Sequence, residues 1–275
     1  MEGPTHLQIS RSLSLVIPAY NEEAGIRQAV EEADQALAQL ATQYEIIIVD
    51  DGSVDGTPEI VQEAGVGRPH IRLLRHRCNL GYSAALRTGF EAAACERVAF
   101  TDADCQFHLA DLGPLLSLTE HHPIAAGYRL HRKDPWTRRF FSWGYNVLVR
   151  TLLGTGVRDC DCALKVFRRQ ALRNLLPGTP GFFVNTEMLT RARQLGYEIA
   201  EAGVRHRPRL KGASKVSLGD IPRTLATLLP FWWTRVMFPR LAQGSKTEVR
   251  TFDVPRSAAA NSAGTMPVLP KTSDA

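Results

Sequence analysis

Short apolar runs alternate with helix-patterned segments through the first half of the chain, and this alternation constrains the fold most strongly. The predicted strands span residues 13–17, 45–49, 71–74, 98–101 and 124–127. The predicted helices span residues 24–40, 55–64, 83–94 and 109–119. Short apolar strands that alternate with helices form a mostly parallel sheet with helices on both faces. The sequence therefore predicts a Rossmann-like α/β domain.

Polar turns follow three of the predicted strands. They are Asn21-Glu22, Asp50-Asp51 and Asp102-Ala103-Asp104. In open α/β sheets a ligand lies beyond the carboxyl ends of the strands, and these turns would meet at that edge. The topology alone therefore predicts a polar ligand site there.

The second half of the sequence is less regular. Helices are predicted over residues 137–153, 185–195 and, in one or two pieces, 217–241; extended segments are predicted over 162–167 and 197–204. Residues 1–12 are predicted to form a short N-terminal tail. From residue 243 to 275 Ser, Ala, Thr and Pro predominate, so we expect a disordered tail.

Cysteine usage and charge bear on compartment and partners. Five cysteines cannot form a complete disulfide framework, and residues 1–12 lack the apolar core of a secretory signal. No run approaches 18 uncharged apolar residues, so no transmembrane helix is predicted. We therefore expect a cytoplasmic protein. The net charge of +5 favours anionic partners.

The segment Asp102-Ala103-Asp104-Cys105-Gln106 is the sharpest local signal. On an extended segment, residues i, i+2 and i+4 point the same way, so two carboxylates and an amide oxygen would face one cation. Mg²⁺ or Mn²⁺ prefers such oxygen ligands. The alternative is an acidic turn that caps the helix predicted to begin near Leu109.

A second acidic turn, Asp50-Asp51-Gly52-Ser53-Val54-Asp55-Gly56-Thr57, follows the second predicted strand. Carboxylates of Asp50 and Asp51 could accept hydrogen bonds from ribose hydroxyls or a base N–H, and the glycines allow close approach of ligand and backbone. Asp55 is the expected N-cap of the next helix. The chain has neither a G-x-G-x-x-G after its first strand nor a P-loop, which disfavours dinucleotide binding and P-loop hydrolysis.

Basic residues concentrate in two stretches. Residues 129–158 hold seven against one acid, and residues 205–240 hold eight against one acid. The cation predicted at Asp102-Ala103-Asp104-Cys105-Gln106 would bind a diphosphate. Near such a site, the two basic stretches favour phosphate binding over a merely solvated face. Nucleic-acid binding is disfavoured because no binding motif is present and aromatic residues do not interleave with basic ones.

An apolar, aromatic segment lies at residues 225–238, with Trp232 and Trp233 at its centre and Arg223, Arg235 and Arg240 within or beside it. It is too short to span a bilayer, but it suits a helix that lies in the headgroup region. A helix packed on the domain, or one at a dimer interface, is the alternative.

Taken together, the motifs resemble those of the family 2 inverting glycosyltransferases of GT-A fold, and among them the dolichyl-phosphate mannosyltransferase-like enzymes. The resemblance covers residues 13–215. The motifs are Pro18-Ala19-Tyr20-Asn21-Glu22, the turn from Asp50 to Thr57, Asn79-x-Gly81 with Ala85 and Gly89, Asp102-x-Asp104-x-Gln106, Gly127-x-Arg129, Arg139-x-x-Ser142-x-x-x-Asn146, and the segment from Asp159 to Lys165.

The resemblance implies a role for each matching residue. The nucleotide would be held by Pro18, Tyr20, Glu22 and Asp51. The metal and diphosphate would be held by Asp102, Asp104 and Gln106. The acceptor phosphate would be bound by Arg129, Arg139 and Ser142. Arg209 and Lys215 would lie on a loop that closes over the donor phosphates. One departure is Cys162-Ala163-Leu164-Lys165, where related sequences often have glycine second and phenylalanine third.

The implied activity is metal-dependent transfer of a sugar, with inversion, from a GDP- or UDP-linked donor to a polyprenyl phosphate at the cytoplasmic membrane face. Residues 13–216 would form the catalytic domain and residues 217–242 an amphipathic helical segment. Transfer to a sugar or small-molecule hydroxyl is the alternative, and it would need Asp159, Asp161 or Glu187 as general base. A nucleotide-binding, membrane-associated module without catalysis is the non-enzymatic alternative.

Overall fold

The computed structural model describes residues 12–130, 136–179, 183–207, 226 and 228–233, with the backbone alone for residues 136–142. The predicted tail over 1–12 lies outside the described residues except for Ser12. The predicted tail over 243–275 and most of the segment 217–242 also lie outside them.

One seven-stranded sheet organises the described chain. Its strands are β1 (Ser12–Ala19), β2 (Gln43–Asp50), β3 (Ile71–Arg75), β4 (Arg97–Phe100), β5 (Ile124–Leu130), β6 (Lys165–Arg168) and β7 (Ile199–Arg205). Their order is β3-β2-β1-β4-β6-β5-β7. Every pairing is parallel except those of β6, which runs antiparallel to both β4 and β5. The prediction of a mostly parallel sheet is confirmed.

The helices are α1 (Ile26–Leu40), α2 (Thr57–Ala64), α3 (Tyr82–Ala92), α4 (Leu112–Leu118), α5 (Trp136–Leu153), α6 (Arg169–Arg173) and α7 (Val184–Gln194). A 3₁₀ turn, Leu109–Asp111, precedes α4, where the sequence predicted one continuous helix. The short helix α6 was not predicted. The remaining predicted helices of the first half agree with the structure to within about two residues at each end, the usual uncertainty of helix boundaries.

The reversed direction of β6 fixes where the second half of the chain lies. Strand β5 ends at the same sheet edge as β1, and β6 begins at that edge because it is antiparallel to β5. The segment between them, residues 131–164, therefore leaves from and returns to the carboxyl-end edge of the sheet. This connection brings Asp159 and Asp161 to the edge that carries the three polar turns.

Strand β1 continues through Pro18, whereas the sequence predicted that it stops before this residue. Pro18 pairs with Val49 of β2, but β4 pairs with β1 only from Leu13 to Val16. A proline is tolerated here because β1 has no ladder partner on the β4 side at this point. The strand order also reverses between β1 and β4, so the crevice that opens beyond Pro18 is the place where such sheets bind ligands.

Two apolar clusters hold the fold. The larger lies around the sheet, and α3 packs so closely on it that a Cβ on Gly89 would come within 2.3 Å of the Val16 side chain. The smaller joins α5 and α7 to the described part of the last helical segment. Its buried members include Val149, Leu153, Phe183, Leu189, Leu228 and Phe231.

Candidate active site at the carboxyl ends of the strands

The loops after β1 and β2 are bonded to each other. The Asn21 N–H donates to Ser53 Oγ (2.9 Å), and the Val54 N–H donates back to Asn21 Oδ1 (3.0 Å). The Glu22 N–H donates to Thr57 Oγ1 (2.9 Å). Asn21 adopts a left-handed backbone (φ 49°), a conformation that asparagine tolerates better than most residues. These side chains therefore shape the edge of the site.

Asp55 bonds to Thr57, the first residue of α2, but the N-cap of this helix is Gly56 and not, as the sequence predicted, Asp55. Its Oδ1 accepts hydrogen bonds from the Thr57 N–H (3.1 Å) and hydroxyl (2.6 Å), and Oδ2 accepts one from the Glu23 N–H (3.2 Å). Partial burial acts to raise the pKa of Asp55, but these hydrogen bonds outweigh it and lower the pKa. The carboxylate therefore joins the start of α2 to the loop that follows β1.

Asp50 is fully buried at the end of β2. Its Oδ1 accepts a hydrogen bond from the Ser53 N–H (3.0 Å), and the Nε of Arg75 lies 3.0 Å from Oδ2. The carboxylate thus closes its own turn and pairs with the neighbouring strand β3. A contact between Asp50 and a nucleotide stays a prediction.

Asp51 organises the loop of residues 76–81. Its Oδ1 accepts a hydrogen bond from the Leu80 N–H (2.9 Å), and its Oδ2 accepts one from the Gly81 N–H (2.8 Å). The Nδ1 of His76 lies 2.7 Å from Oδ1 and donates, because a carboxylate can only accept. Asp51 is 3% exposed, so its predicted contact with the nucleotide also stays a prediction.

Gly52 allows two loops to approach each other. Its φ is +74°, and a Cβ there would lie 2.5 Å from the carbonyl carbon of Cys78 and 2.7 Å from the Asn79 nitrogen. The sequence predicted that this glycine admits a ligand to the backbone. In the structure, what approaches Gly52 is the backbone of the loop at residues 76–81.

The segment from Asp102 to Gln106 is a turn, and the extended geometry predicted for it is wrong. Cys105 has φ 56°, which breaks the alternation of side chains that an extended segment would have. The Gln106 N–H donates to Asp104 Oδ1 (3.2 Å), and its side-chain nitrogen donates to Arg207 O (3.5 Å). Asp102 and Asp104 nevertheless both lie at the end of β4.

The chain beyond β7 holds this turn in place. Phe107 and His206 form an antiparallel bridge, and the Arg207 N–H donates to Gln106 O (2.9 Å). The Arg207 guanidinium also contacts the Cys105 carbonyl and the Glu32 carboxylate. These tertiary contacts explain why the local sequence pattern did not predict the turn.

Tyr82, the first residue of α3, donates its hydroxyl hydrogen bond to Asp102 Oδ1 (2.9 Å). Burial and then the charge of Asp102 raise the pKa of Tyr82 well above its ordinary value, and Asp104 and Asp161 act in the same direction. The charges of three carboxylates therefore act on this one hydroxyl. Sequence reasoning missed Tyr82, although its position directly after Asn79-x-Gly81 could have indicated it.

Arg129, a predicted acceptor-phosphate ligand, is bonded to Asp159, a candidate base. Its Nε and a terminal nitrogen donate to the two carboxylate oxygens at 2.7 and 2.8 Å. Burial acts to lower the pKa of Arg129, but the hydrogen bonds and charge of Asp159 outweigh it and raise the pKa. A phosphate at Arg129 would therefore share the guanidinium with Asp159.

The other two candidate bases differ in their surroundings. Glu187 is 1% exposed, accepts a hydrogen bond from the Thr179 N–H (2.8 Å) and pairs with Arg191 (2.6 Å), so it shapes the chain before α7. Asp161 is exposed, and its charge contributes to the raised pKa of both Tyr82 and Tyr145, which burial raises most. Asp161 is thus the candidate that lies exposed beside the site.

A buried lysine supports the loop that carries Asp159 and Asp161. Lys165 is 1% exposed, and its ammonium donates to the Cys160 carbonyl (3.0 Å), to the Cys162 carbonyl and to Asn185 Oδ1 (3.1 Å). Burial raises the pKa of each of the two thiols to about 12. Both cysteines therefore pack as neutral groups at neutral pH.

The remaining predicted residues are placed as follows. Pro18 is buried in β1, and Tyr20 and Glu22 are half-buried on the loop that follows it. Arg139 and Ser142 belong to α5, but their side chains lie outside the described residues, as do Arg209 and Lys215 entirely.

In the ranges that the structure describes, no three His, Cys, Asp or Glu side chains gather closely enough to hold a metal ion between them. No helix in those ranges combines the length and hydrophobicity that a bilayer-spanning segment needs.

Curated relatives match most of the chain. Glycosyltransferase AglD of Haloferax volcanii is 32% identical over 84% of this chain and 38% of its own length. The undecaprenyl-phosphate 4-deoxy-4-formamido-L-arabinose transferase of Aeromonas hydrophila is 31% identical over 75% of this chain and 63% of its own. The dodecaprenyl-phosphate galacturonate synthase of Rhizobium johnstonii is 30% identical over 80% of this chain and 66% of its own. The chain thus spans less than two thirds of each of these relatives.

Solved structures share the fold. Glucosyl-3-phosphoglycerate synthase from Mycobacterium tuberculosis, in complex with Mn²⁺, UDP-glucose and phosphoglyceric acid, superposes with a TM-score of 0.64 at 25% identity. The match covers 81% of this chain and 80% of that one. This likeness confirms the prediction of a GT-A-type fold.

The family model described as glycosyl transferase family 2 matches residues 14–176. This match begins in β1, includes the turns after β1, β2 and β4, and ends beyond β6. It covers more than half of the chain and every strand except β7. The chain therefore belongs to glycosyl transferase family 2.

Proposed function

We propose that the protein transfers a sugar, with inversion, from a GDP- or UDP-linked donor to a polyprenyl phosphate. The observation that carries the proposal is the position of Asp102 and Asp104, beside Tyr82, where the strand order reverses between β1 and β4. The names of the relatives support the acceptor class, because they include an undecaprenyl-phosphate and a dodecaprenyl-phosphate enzyme.

A divalent cation fits the residues at the end of β4. Asp102 and Asp104 both raise the pKa of the half-buried Tyr82 hydroxyl, after desolvation itself, so the site carries negative charge that a cation would offset. Asp102, Asp104 and Gln106 would hold Mg²⁺ or Mn²⁺, which completes its shell with phosphate oxygens and water. When bound, such an ion acts as a Lewis acid that stabilises the negative charge of a departing nucleoside diphosphate.

The other predicted residues would bind and orient the substrates. Tyr20, Glu22 and Asp51 are proposed for the nucleotide, and Pro18 and Asp50 would shape the same edge. Arg129, Arg139 and Ser142 are proposed for the acceptor phosphate, and Arg209 and Lys215 for the donor phosphates. A polyprenyl phosphate is already anionic, so its oxygen can attack the sugar without a general base.

The test is transfer of radiolabelled sugar from GDP- and UDP-sugars into an organic-extractable product, with and without polyprenyl phosphate and Mn²⁺. We expect label in the organic phase only when lipid and metal are both present. Asp104→Ala should reduce transfer on the order of 10²-fold or more, the scale for removing an electrostatic group from an active site. Glu31→Ala, which removes an exposed carboxylate from α1, is the control; undiminished transfer by Asp104→Ala contradicts the proposal.

A hydroxyl acceptor is the second candidate, and the exposure of Asp161 beside Tyr82 favours it. A hydroxyl must lose its proton as it attacks, and Asp161 would accept that proton. This candidate predicts a new water-soluble glycoside without added lipid, and loss of that product in Asp161→Asn. Neither result is expected if the acceptor is a lipid phosphate.

We also propose that the protein contacts the cytoplasmic membrane surface through exposed side chains of the two segments that pack on the smaller apolar cluster. Trp143 and Val147 are exposed one turn apart on α5, and Leu229 and Trp233 are exposed one turn apart on the last described helical segment. Both segments pack on the same buried cluster. Exposed tryptophans beside a basic stretch of sequence suit the headgroup region.

Sedimentation with vesicles that contain anionic lipid tests this contact. Trp143→Ser combined with Trp233→Ser should reduce the vesicle-bound fraction several-fold, because interfacial binding scales with the apolar area buried. Val66→Ser removes an exposed apolar side chain (79% exposed) that lies outside this cluster, and it should bind as the unaltered protein does. Equal binding by all three proteins contradicts the membrane contact.

A further inference from the structure

We propose that Tyr82 is a positioning residue that orients Asp102 and thereby sets the affinity of the site for a divalent cation. This inference rests on the proposed function only for the presence of a cation at Asp102 and Asp104. It adds a residue outside the acidic motif, on a different element of the fold, to the residues on which cation binding depends.

The first step of the argument is the hydrogen bond itself. The Tyr82 hydroxyl donates to Asp102 Oδ1 at 2.9 Å, from the first turn of α3 to the end of β4. Asp102 lies on a turn rather than on a regular strand, so its side-chain orientation is not fixed by backbone periodicity. A donor held on a helix restricts that carboxylate, and second-shell partners of this kind orient metal ligands in proteins generally.

The second step is that Tyr82 is itself held. The residue before it, Gly81, has φ 95° and donates its N–H to Asp51 Oδ2 (2.8 Å), while the Leu80 N–H donates to Oδ1 (2.9 Å). The entry into α3 is therefore fastened to the end of β2. Two hydrogen-bonded links lead from Asp51 through the start of α3 to Asp102.

A third contact fastens the helix to the same carboxylate. His76 donates to Asp51 through Nδ1 (2.7 Å), and its Nε2 lies 2.9 Å from the Thr88 hydroxyl on α3. His76 therefore links Asp51 to α3 six residues beyond Tyr82. A tyrosine on a helix held at two places can hold the orientation of a carboxylate better than one on a loop.

A purely structural role for the Tyr82 hydroxyl makes a different prediction. A half-buried hydroxyl that merely satisfies a half-buried acceptor contributes to folding stability, and its loss would lower the unfolding midpoint. It would leave the affinity for a cation unchanged once the protein is folded. Measuring both cation affinity and folding stability therefore distinguishes a positioning role of Tyr82 from a purely structural one.

The experiment compares Tyr82→Phe with Tyr44→Phe on the full chain. Tyr44 also donates its hydroxyl to an aspartate, Asp34 Oδ1 at 2.7 Å, but from the start of β2 rather than from the edge that carries Asp102, so the two variants remove the same kind of bond. Binding of Mn²⁺ alone, and of Mn²⁺ with GDP or UDP, is measured by electron paramagnetic resonance of the free ion. Thermal unfolding is followed on the same samples.

We expect the Mn²⁺ dissociation constant to rise about 10-fold or more in Tyr82→Phe and to stay unchanged in Tyr44→Phe, the range reported for second-shell substitutions. In a transfer assay, the Mn²⁺ concentration for half-maximal activity should rise while the rate at saturating Mn²⁺ is largely retained. Unchanged Mn²⁺ affinity in Tyr82→Phe, an equal loss in Tyr44→Phe, or no Mn²⁺ binding by the unaltered protein would each overturn the inference.

The outcome separates this inference from the proposed function. If Tyr82→Phe weakens Mn²⁺ binding but the unaltered protein moves no sugar to lipid, the inference stands and the proposed function fails. If transfer to lipid occurs but Tyr82→Phe responds to Mn²⁺ as the unaltered protein does, the proposed function stands and the inference fails.

Discussion

The two halves of the site edge are stabilised by different interactions. In the first half, the loops at residues 20–25, 51–57 and 76–81 are joined mainly by side-chain oxygens that accept hydrogen bonds from backbone N–H groups. The buried carboxylates of Asp50 and Asp51 are among these acceptors. In the second half, which comprises residues 127–130 and 154–165, two largely buried cations form the connections instead. Arg129 pairs with Asp159, and the Lys165 ammonium bonds to backbone carbonyls.

This difference has an energetic consequence. The net contribution of a typical hydrogen bond to stability is about 1 kcal/mol. Because the first half has many such bonds, each of its residues contributes only a small part of its stability. A buried charge that loses its partner costs several kcal/mol, because its desolvation is no longer compensated. Substitutions that leave one of these two cations without its partner should therefore cost more than the loss of single backbone hydrogen bonds in the first half.

The largest effect is expected from Asp159→Ala. This substitution leaves the Arg129 guanidinium buried, with its side chain 10% exposed, and without the carboxylate that binds it at two points. We expect a loss of about 3–5 kcal/mol in the free energy of unfolding, the usual cost of removing one partner of a buried ion pair. Urea denaturation followed by circular dichroism measures it.

The double variant Arg129→Met, Asp159→Leu is the control for the Asp159 prediction. It removes both charges and should recover most of the stability lost in Asp159→Ala, because apolar residues often replace a buried ion pair at little cost. A loss below about 1 kcal/mol in Asp159→Ala would mean that the second half tolerates substitution as the first half does.

An intermediate effect is expected from Lys165→Met. Methionine has a side chain of similar length but lacks the ammonium that donates to the Cys160 and Cys162 carbonyls and to Asn185 Oδ1. Buried acceptors left without a donor cost about 1–3 kcal/mol, and the 159–162 loop should lose order. Urea denaturation of the variant measures the loss.

The matched comparison in the first half is Asp55→Ala, which removes the acceptor of the Thr57 and Glu23 N–H hydrogen bonds and should cost about 1 kcal/mol. Equal losses in Lys165→Met and Asp55→Ala would remove the distinction between the two halves.

The first half of the fold was predictable because its information is local. The apolar runs around Leu15, Ile47 and Ala99 are strands that are buried on both faces, and the helices between them have apolar residues at helical spacing. Strand β6 was harder to predict because its direction depends on the path of residues 131–164, which no local pattern specifies. Helix α6 has only five residues, too few to show a periodicity.

The site was predictable in its location and less so in its contacts. The turns after β1, β2 and β4 do share one edge, as the topology predicts. The turn at Cys105 depends on Arg207, about a hundred residues away, and Tyr82 meets Asp102 only because α3 begins beside β4. Such contacts depend on the tertiary structure, so spacing along the chain cannot reveal them.

The smallest effect concerns a buried charge in the first half, Glu45 of β2. Its Oε1 accepts hydrogen bonds from the Ser14 hydroxyl (2.6 Å) and the Ala94 N–H (2.7 Å), and Arg72 donates to Oε2 (2.5 Å). Burial acts to raise the pKa of Glu45, but these bonds outweigh it, so the pKa falls below the ordinary value of 4.5. A group with a lowered pKa adds stability above its ordinary pKa and loses it as the pH falls through the folded value.

Glu45→Gln tests whether this charge behaves like those of the second half. The variant should be about 1 kcal/mol less stable at pH 7, because it keeps an acceptor for Ser14 but loses the charged partner of Arg72. As the pH falls below 4.5 the unaltered protein should lose stability faster than the variant, so the two unfolding free energies converge.

A difference between the two unfolding free energies that stays constant from pH 7 to pH 3 would show that the charge of Glu45 contributes nothing. A gap near 3–5 kcal/mol at pH 7 would place Glu45 with Asp159 and show that burial of charge, rather than position at the site edge, decides the cost.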